Sequence, residues 1–109
     1  MSPKKAGRTS ESEFAIAALR IAADNPHGEI TTTELKKIIS NYVELTPGDL
    51  KQSETRPNEK MYQQIVGNIV SHWESGGNII GKGYADYTGS GIHITEAGRA
   101  HLRSKGYEA

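Results

Sequence analysis

Lys60, Gln63, Gln64, Gly67, Asn68 and Ser71 fall on one flank of a segment running over residues 58–74. Their types and spacing fit one chemistry above all. Gln or Asn on a helix in the major groove can bond adenine in a bidentate way, and a lysine beside it can neutralise phosphate. The first residues of such a helix reach the bases. Gln63 and Gln64 are therefore the leading candidates for base readout, with Asn68 and Ser71 further along and Gly67 permitting close approach. The same flank is equally what an ordinary solvated helix face looks like.

A second group suits phosphate. Arg56, Asn58 and Lys60 flank the start of that segment, where the positive end of a helix attracts anions. Lys36 and Lys37 sit on an earlier helix. Lys82, Thr88 and Ser90 belong to a glycine-rich hairpin whose hydroxyls and backbone N–H groups can bond phosphate. No Arg or Lys occurs between residues 83 and 98, so that hairpin serves equally well as a cover for the core. Lys4, Lys5 and Arg8 form a basic arm of the kind that follows a groove.

Catalysis finds little support. His27, His72, His93 and His101 show no close ligand spacing, and there is no Gly-x-Ser-x-Gly or phosphate-loop pattern. Zero cysteines exclude a disulfide scaffold, a thiol nucleophile and a thiolate zinc site. The expectation is a protein that is not an enzyme and needs no metal or cofactor.

These side chains need elements to hold them. Residues 10–24 read as helix one, with Phe14, Ala17, Ala18, Ile21 and Ala22 on one face. Ile16, Leu19 and Ala23 lie opposite, so this helix is either central or offers its back to a second copy as a homodimer face. A very short strand over 28–30 follows. Thr31-Thr32-Thr33-Glu34 fits a capping box and opens helix two, which runs to about Val43 on Leu35, Ile38, Ile39, Tyr42 and Val43. Residues 45–50 read as a helical turn capped by Thr46, with Leu45 and Leu50 pinning it to the core. Helix three uses Tyr62, Ile65, Val66, Ile69, Val70 and Trp73 inward. Residues 78–83 are open between a helical turn and a strand start. Residues 84–87 and 92–94 read as strands around a Thr88-Gly89-Ser90-Gly91 loop. Thr95 caps a last helix to residue 105, with Ala97, Ala100 and Leu102 inward.

The expected architecture is α+β and mostly helical: a winged helix-turn-helix with a three-helix core, a β-hairpin wing near the C-terminus and a further C-terminal helix. Residues 1–9 would be a flexible basic arm, 10–105 the winged-helix domain and 106–109 a tail. The chain has 109 residues, room for one domain.

Composition bounds the partners. Formal charge is zero, from 13 basic and 13 acidic side chains, which argues against polyanion binding by bulk charge. Residues 1–10 nevertheless carry three basic and no acidic side chains. Mean hydropathy is −0.60, and no stretch reaches the roughly 18 apolar residues of a membrane span. The basic start is followed by no apolar segment of signal type. A cytoplasmic location without membrane contact is expected.

Two segments resemble a known family. Thr31-Thr32-Thr33-Glu34-Leu35 through Leu45-Thr46-Pro47-Gly48-Asp49-Leu50 is similar to the first half of the winged-helix domain at the N-terminus of Mrr-type restriction endonucleases. Asn68-Ile69-Val70-Ser71-His72 through Gly83-Tyr84-Ala85-Asp86-Tyr87, then Gly91-Ile92-His93-Ile94-Thr95-Glu96-Ala97-Gly98-Arg99, resembles its second half. The resemblance spans roughly residues 12–103. It implies prokaryotic binding of double-stranded DNA, in transcription regulation or as a stand-alone targeting module related to restriction and defence systems; the chain has no room for the family's nuclease domain. The competing expectation is a winged helix used for protein–protein interaction without DNA, which neutral charge and the second apolar side of helix one favour.

Overall fold

The computed structural model describes residues 11–53, 58–71 and 82–109. Helix α1, Glu11–Asp24, runs through the middle of the fold. It packs against the helices over residues 61–71 and 96–104 and against the sheet, so a single apolar stripe does not suffice. Phe14, Ala18, Leu19, Ile21 and Ala22 are all buried. Leu19, on the second apolar side, has no exposed surface at all, so of the two placements left open for this helix the central one holds. Ile16 and Ala23 are half-buried against the core. The spare side proposed for a homodimer is thus largely used up inside the monomer.

Strand β1, Glu29–Thr31, leads directly into α2, Thr32–Ile38. One half of the expected capping box holds: the Thr31 hydroxyl accepts from the Glu34 N–H at 3.2 Å, satisfying one of the free first-turn donors, while the Glu34 carboxylate lies beside Lys37 instead of returning to the Thr31 N–H. The α-helix ends earlier than the apolar pattern implies. Residues Ile39–Asn41 tighten into a 3-10 turn, which still buries Ile39.

Helix α3, Met61–Ser71, carries the buried face Val66, Ile69 and Val70. Gly67, expected on the outward flank, is buried as well. α3 touches both α1 and α2, so more than one stripe of it is covered. Trp73 and the expected last turn of this helix lie outside the described residues.

Strands β2, Ala85–Tyr87, and β3, Gly91–Ile94, form the hairpin. β1 joins it to give a three-stranded antiparallel sheet in the order β1-β3-β2. Ile30, Ile92, Ile94 and Ala85 face the core. Glu29, His93 and Asp86 stand in one register row on the other face. Thr95 caps α4, Glu96–Ser104, accepting from the Gly98 N–H at 3.1 Å. Of the three residues expected inward on α4, Leu102 is buried, but Ala97 and Ala100 are exposed. Gly98 is the residue that lies against the hairpin instead: a Cβ there would collide with the Tyr84 carbonyl.

Candidate nucleic-acid interface

The segment between the 3-10 turn and α3 is not a plain loop. Thr46 and Asp49 are both buried and bond each other reciprocally. The Asp49 carboxylate accepts from the Thr46 N–H at 2.8 Å, and the Thr46 hydroxyl accepts from the Asp49 N–H at 3.2 Å. This is the geometry of a capping box, with aspartate in the acidic position. The turn then lays its carbonyls on the start of α3. Met61 N–H donates to the Lys51 carbonyl at 2.8 Å, and Tyr62 N–H donates to the Asp49 carbonyl at 3.0 Å. Gln52 pairs with Lys60 in an isolated antiparallel bridge, and Ser53 N–H donates to the Glu59 carbonyl at 2.9 Å.

This buttress decides what the reader candidates can do. The Gln63 carbonyl oxygen accepts from the Lys60 N–H at 2.8 Å, reaching back over its own first turn. The Gln64 carbonyl oxygen accepts from the hydroxyl of buried Ser53. Both side chains are half-buried. Bidentate adenine contact needs the oxygen and the NH2 of one carboxamide together. Here each oxygen already accepts one bond within the protein, which holds the carboxamide where it is. Asn68 is half-buried, and Ser71 is exposed at the end of α3.

The cations sort by partner. Lys36 forms an ion pair with Glu59 at 2.6 Å, with side chains only 22% and 19% exposed. Lys37 is well exposed and lies 3.8 Å from Glu34 on its own helix. Lys51, Asn58 and Lys60 are exposed around the start of α3. Lys36, Asn58, Lys60, Gln63 and Gln64 thus gather at one place. Arg56 and the arm residues Lys4, Lys5 and Arg8 lie outside the described residues.

The hairpin tip is a second place. Thr88, Gly89 and Ser90 are all exposed, and Gly89 holds φ +91°, a conformation glycine takes without strain. Thr88 closes the loop by accepting from the Gly91 N–H at 3.0 Å. The Ser90 carbonyl accepts from both the N–H of Thr32, at 2.9 Å, and its hydroxyl, at 3.1 Å. The tip is therefore fixed to the first residue of α2. Lys82 is at the other end of the hairpin, near His101. The His101 ring stacks on Tyr84 with centroids 4.3 Å apart. Burial, then the charges of Lys105 and Lys82, hold the His101 pKa below its ordinary value.

A separate groove of about 580 Å³ runs beside α1. Ile16, Ala17 and Val43 contribute its apolar lining. The Arg20 guanidinium lies 5.2 Å from the Tyr42 ring centroid and 4.4 Å from that of Tyr107. The Tyr42 hydroxyl donates to Asp24 at 2.7 Å. That bond, followed by burial and the Asp24 charge, raises the phenol pKa against the opposing Arg20.

Sequence reasoning missed the Ser53–Gln64 bond, the exposure of Leu50 and the Arg20–Tyr42–Tyr107 arrangement. Only the Thr-x-x-Asp spacing carried a readable sign of the buttress. Among the described residues no group of three His, Asp or Glu is placed to hold a metal ion, and no helix is long and apolar enough to cross a membrane. Comparisons with family models, curated proteins and solved structures return no match.

Proposed function

We propose that this chain is a winged helix-turn-helix protein that binds double-stranded DNA. It would act in the cytoplasm as a prokaryotic transcriptional regulator or as a targeting module of a restriction or defence system. In this reading α3 lies in the major groove and the β2–β3 hairpin is the wing. The element order supports it, as does the short strand between the first two helices that closes the sheet onto the hairpin. The observation that carries the reading is charge segregation at the start of α3. The Asp49 and Glu59 carboxylates turn to Thr46 and Lys36, while Lys51 and Lys60 face solvent. Among the described residues, a chain with no net charge thereby leaves exposed cations at the start of α3, where phosphate would lie. Base contact shifts from Gln63 and Gln64, whose carboxamides are held by Lys60 and Ser53, toward Asn68 and Ser71. Lys37, Asn58, Thr88 and Ser90 are further phosphate contacts in this reading.

A salt titration against random duplex DNA tests it. Binding should weaken as salt rises, with a log–log slope near −0.9 per phosphate neutralised. Absence of binding at low salt would favour the second reading, a winged helix that binds protein. The Arg20 groove is the feature that supports that alternative, since Arg and Tyr are enriched in such interfaces. Asn68→Ala should weaken a preferred site more than random duplex; equal losses on both would remove Asn68 as a base reader.

A further inference from the structure

Leu50 should have been core. Its apolar side chain follows a buried aspartate and ends a helical turn, yet it is 45% exposed, more than any other large hydrophobic residue described. It is not on a loose loop. Its N–H donates to the Thr46 carbonyl at 3.2 Å, and the Thr46–Asp49 pair beneath it is buried. The next residue, Lys51, is exposed and gives its carbonyl to the first N–H of α3. The Gln52–Lys60 bridge brings exposed Lys60 to the same end of the helix.

The result is a rigid knob with an apolar tip and two cations, mounted on the first turn of α3. Exposing a leucine costs free energy that burial against a partner would recover. Among the described residues the neighbouring carboxylates, Asp49 and Glu59, are bonded to Thr46 and Lys36, so the exposed charge described around this tip is that of Lys51 and Lys60, which suits a polyanion. Proteins that deform or closely follow DNA use apolar side chains in this way, flanked by cations on the phosphates.

We propose that the Leu50–Lys51 knob is a third DNA-contacting element beside α3 and the hairpin. Leu50 packs against the sugar and base wall of the groove, and Lys51 and Lys60 neutralise the phosphates on either side. The proposal rests on the DNA-binding reading above. It assigns the first contact at this end of α3 to the turn that buttresses the helix, in place of the helix's own glutamines.

The experiment is duplex binding by fluorescence anisotropy over a range of salt, with thermal unfolding of each variant alongside. Leu50→Ser should lose about tenfold in affinity at every salt concentration, the scale set by withdrawing the exposed part of a leucine from water. Its salt slope should match the wild type because no charge is lost, and its melting temperature should stay close to it because Leu50 lies outside the buried core. Leu50→Met should bind like the wild type. Lys51→Gln and Lys60→Gln should each reduce the slope by about 0.9. If the wild type binds duplex and Leu50→Ser binds equally well, the knob is not a contact while the DNA reading survives. If Leu50→Ser instead melts lower, the side chain is structural and the proposal is overturned. If the wild type binds no duplex at low salt, both readings fail together.

Discussion

The Lys36 ammonium, on α2, lies 2.6 Å from the carboxylate of Glu59, two residues ahead of α3. This pair bridges two elements that the sequence separates by 23 positions. It pairs Lys36, expected from the sequence as a phosphate contact, with Glu59, so that neither charge stands alone. Its main effect is therefore to fix the approach of the chain to α3 and to leave Lys51 and Lys60 as the exposed cations there among the described residues.

A double-mutant cycle of Lys36→Met and Glu59→Gln measures this. Both side chains are mostly covered, so a coupling near the upper end for ion pairs is expected, about 1 kcal/mol in urea unfolding. On DNA, Lys36→Met should change the salt slope far less than Lys60→Gln does. A slope change of equal size would mean that Lys36 leaves Glu59 to reach phosphate.

The elements that position this surface were legible where one stripe of a helix or one face of a strand decides burial. Thr31 and Thr95 cap as their spacing implies, and the hairpin strands fall within a residue of expectation. Failures came where an element is covered from two directions. Gly67 is buried because α3 has more than one neighbour, which periodicity in one segment cannot register; the two apolar sides of α1 left its placement open, and the burial of Leu19 resolves it as central. Leu50 failed in the opposite sense: its apolar type reads as core, whereas the buried Thr46–Asp49 pair already anchors the turn without it. The glutamines were correctly recognised as amide-bearing positions of α3. That Lys60 and Ser53 would engage their oxygens depends on how residues 46–53 fold back, a tertiary contact no local pattern encodes.

The sheet depends on one close approach. Gly91 pairs with Thr31 across β3 and β1, and a Cβ at Gly91 would collide with the Ile30 carbonyl oxygen and the Thr31 backbone. Neither is a flexible side-chain tip, so the strands themselves must part. Gly91→Ala is expected to cost about 3 kcal/mol in urea unfolding. Gly89→Ala provides the contrast. Nothing lies within 4 Å of a Cβ there, and only the φ of +91° opposes it, a penalty of about 1 kcal/mol. Losses of similar size at both glycines would show that strain at the tip, and not the β1–β3 approach, limits the hairpin.

His101 gives the fold a pH dependence whose sign can be fixed in advance. Its pKa is lowered from the ordinary 6.5 first by burial, then by Lys105 and Lys82. The folded protein therefore holds fewer protons on this ring than the unfolded chain as pH falls through 6.5. Stability rises with pH wherever the unfolded state binds more protons, so His101 withdraws stability as pH drops from about 6.5 toward its folded value. The ring is half-exposed and the effect on melting should be small. Proton NMR of the ring reads it directly: the titration midpoint should lie below that of a free histidine. Lys105→Gln should move the midpoint part of the way back and no further, because burial against Tyr84 persists. In His101→Gln the melting temperature should vary less between pH values on either side of about 6.5 than in the wild type. A midpoint at or above the free value would mean that the Tyr84 stack stabilises the charged ring, and the dependence would then run the other way.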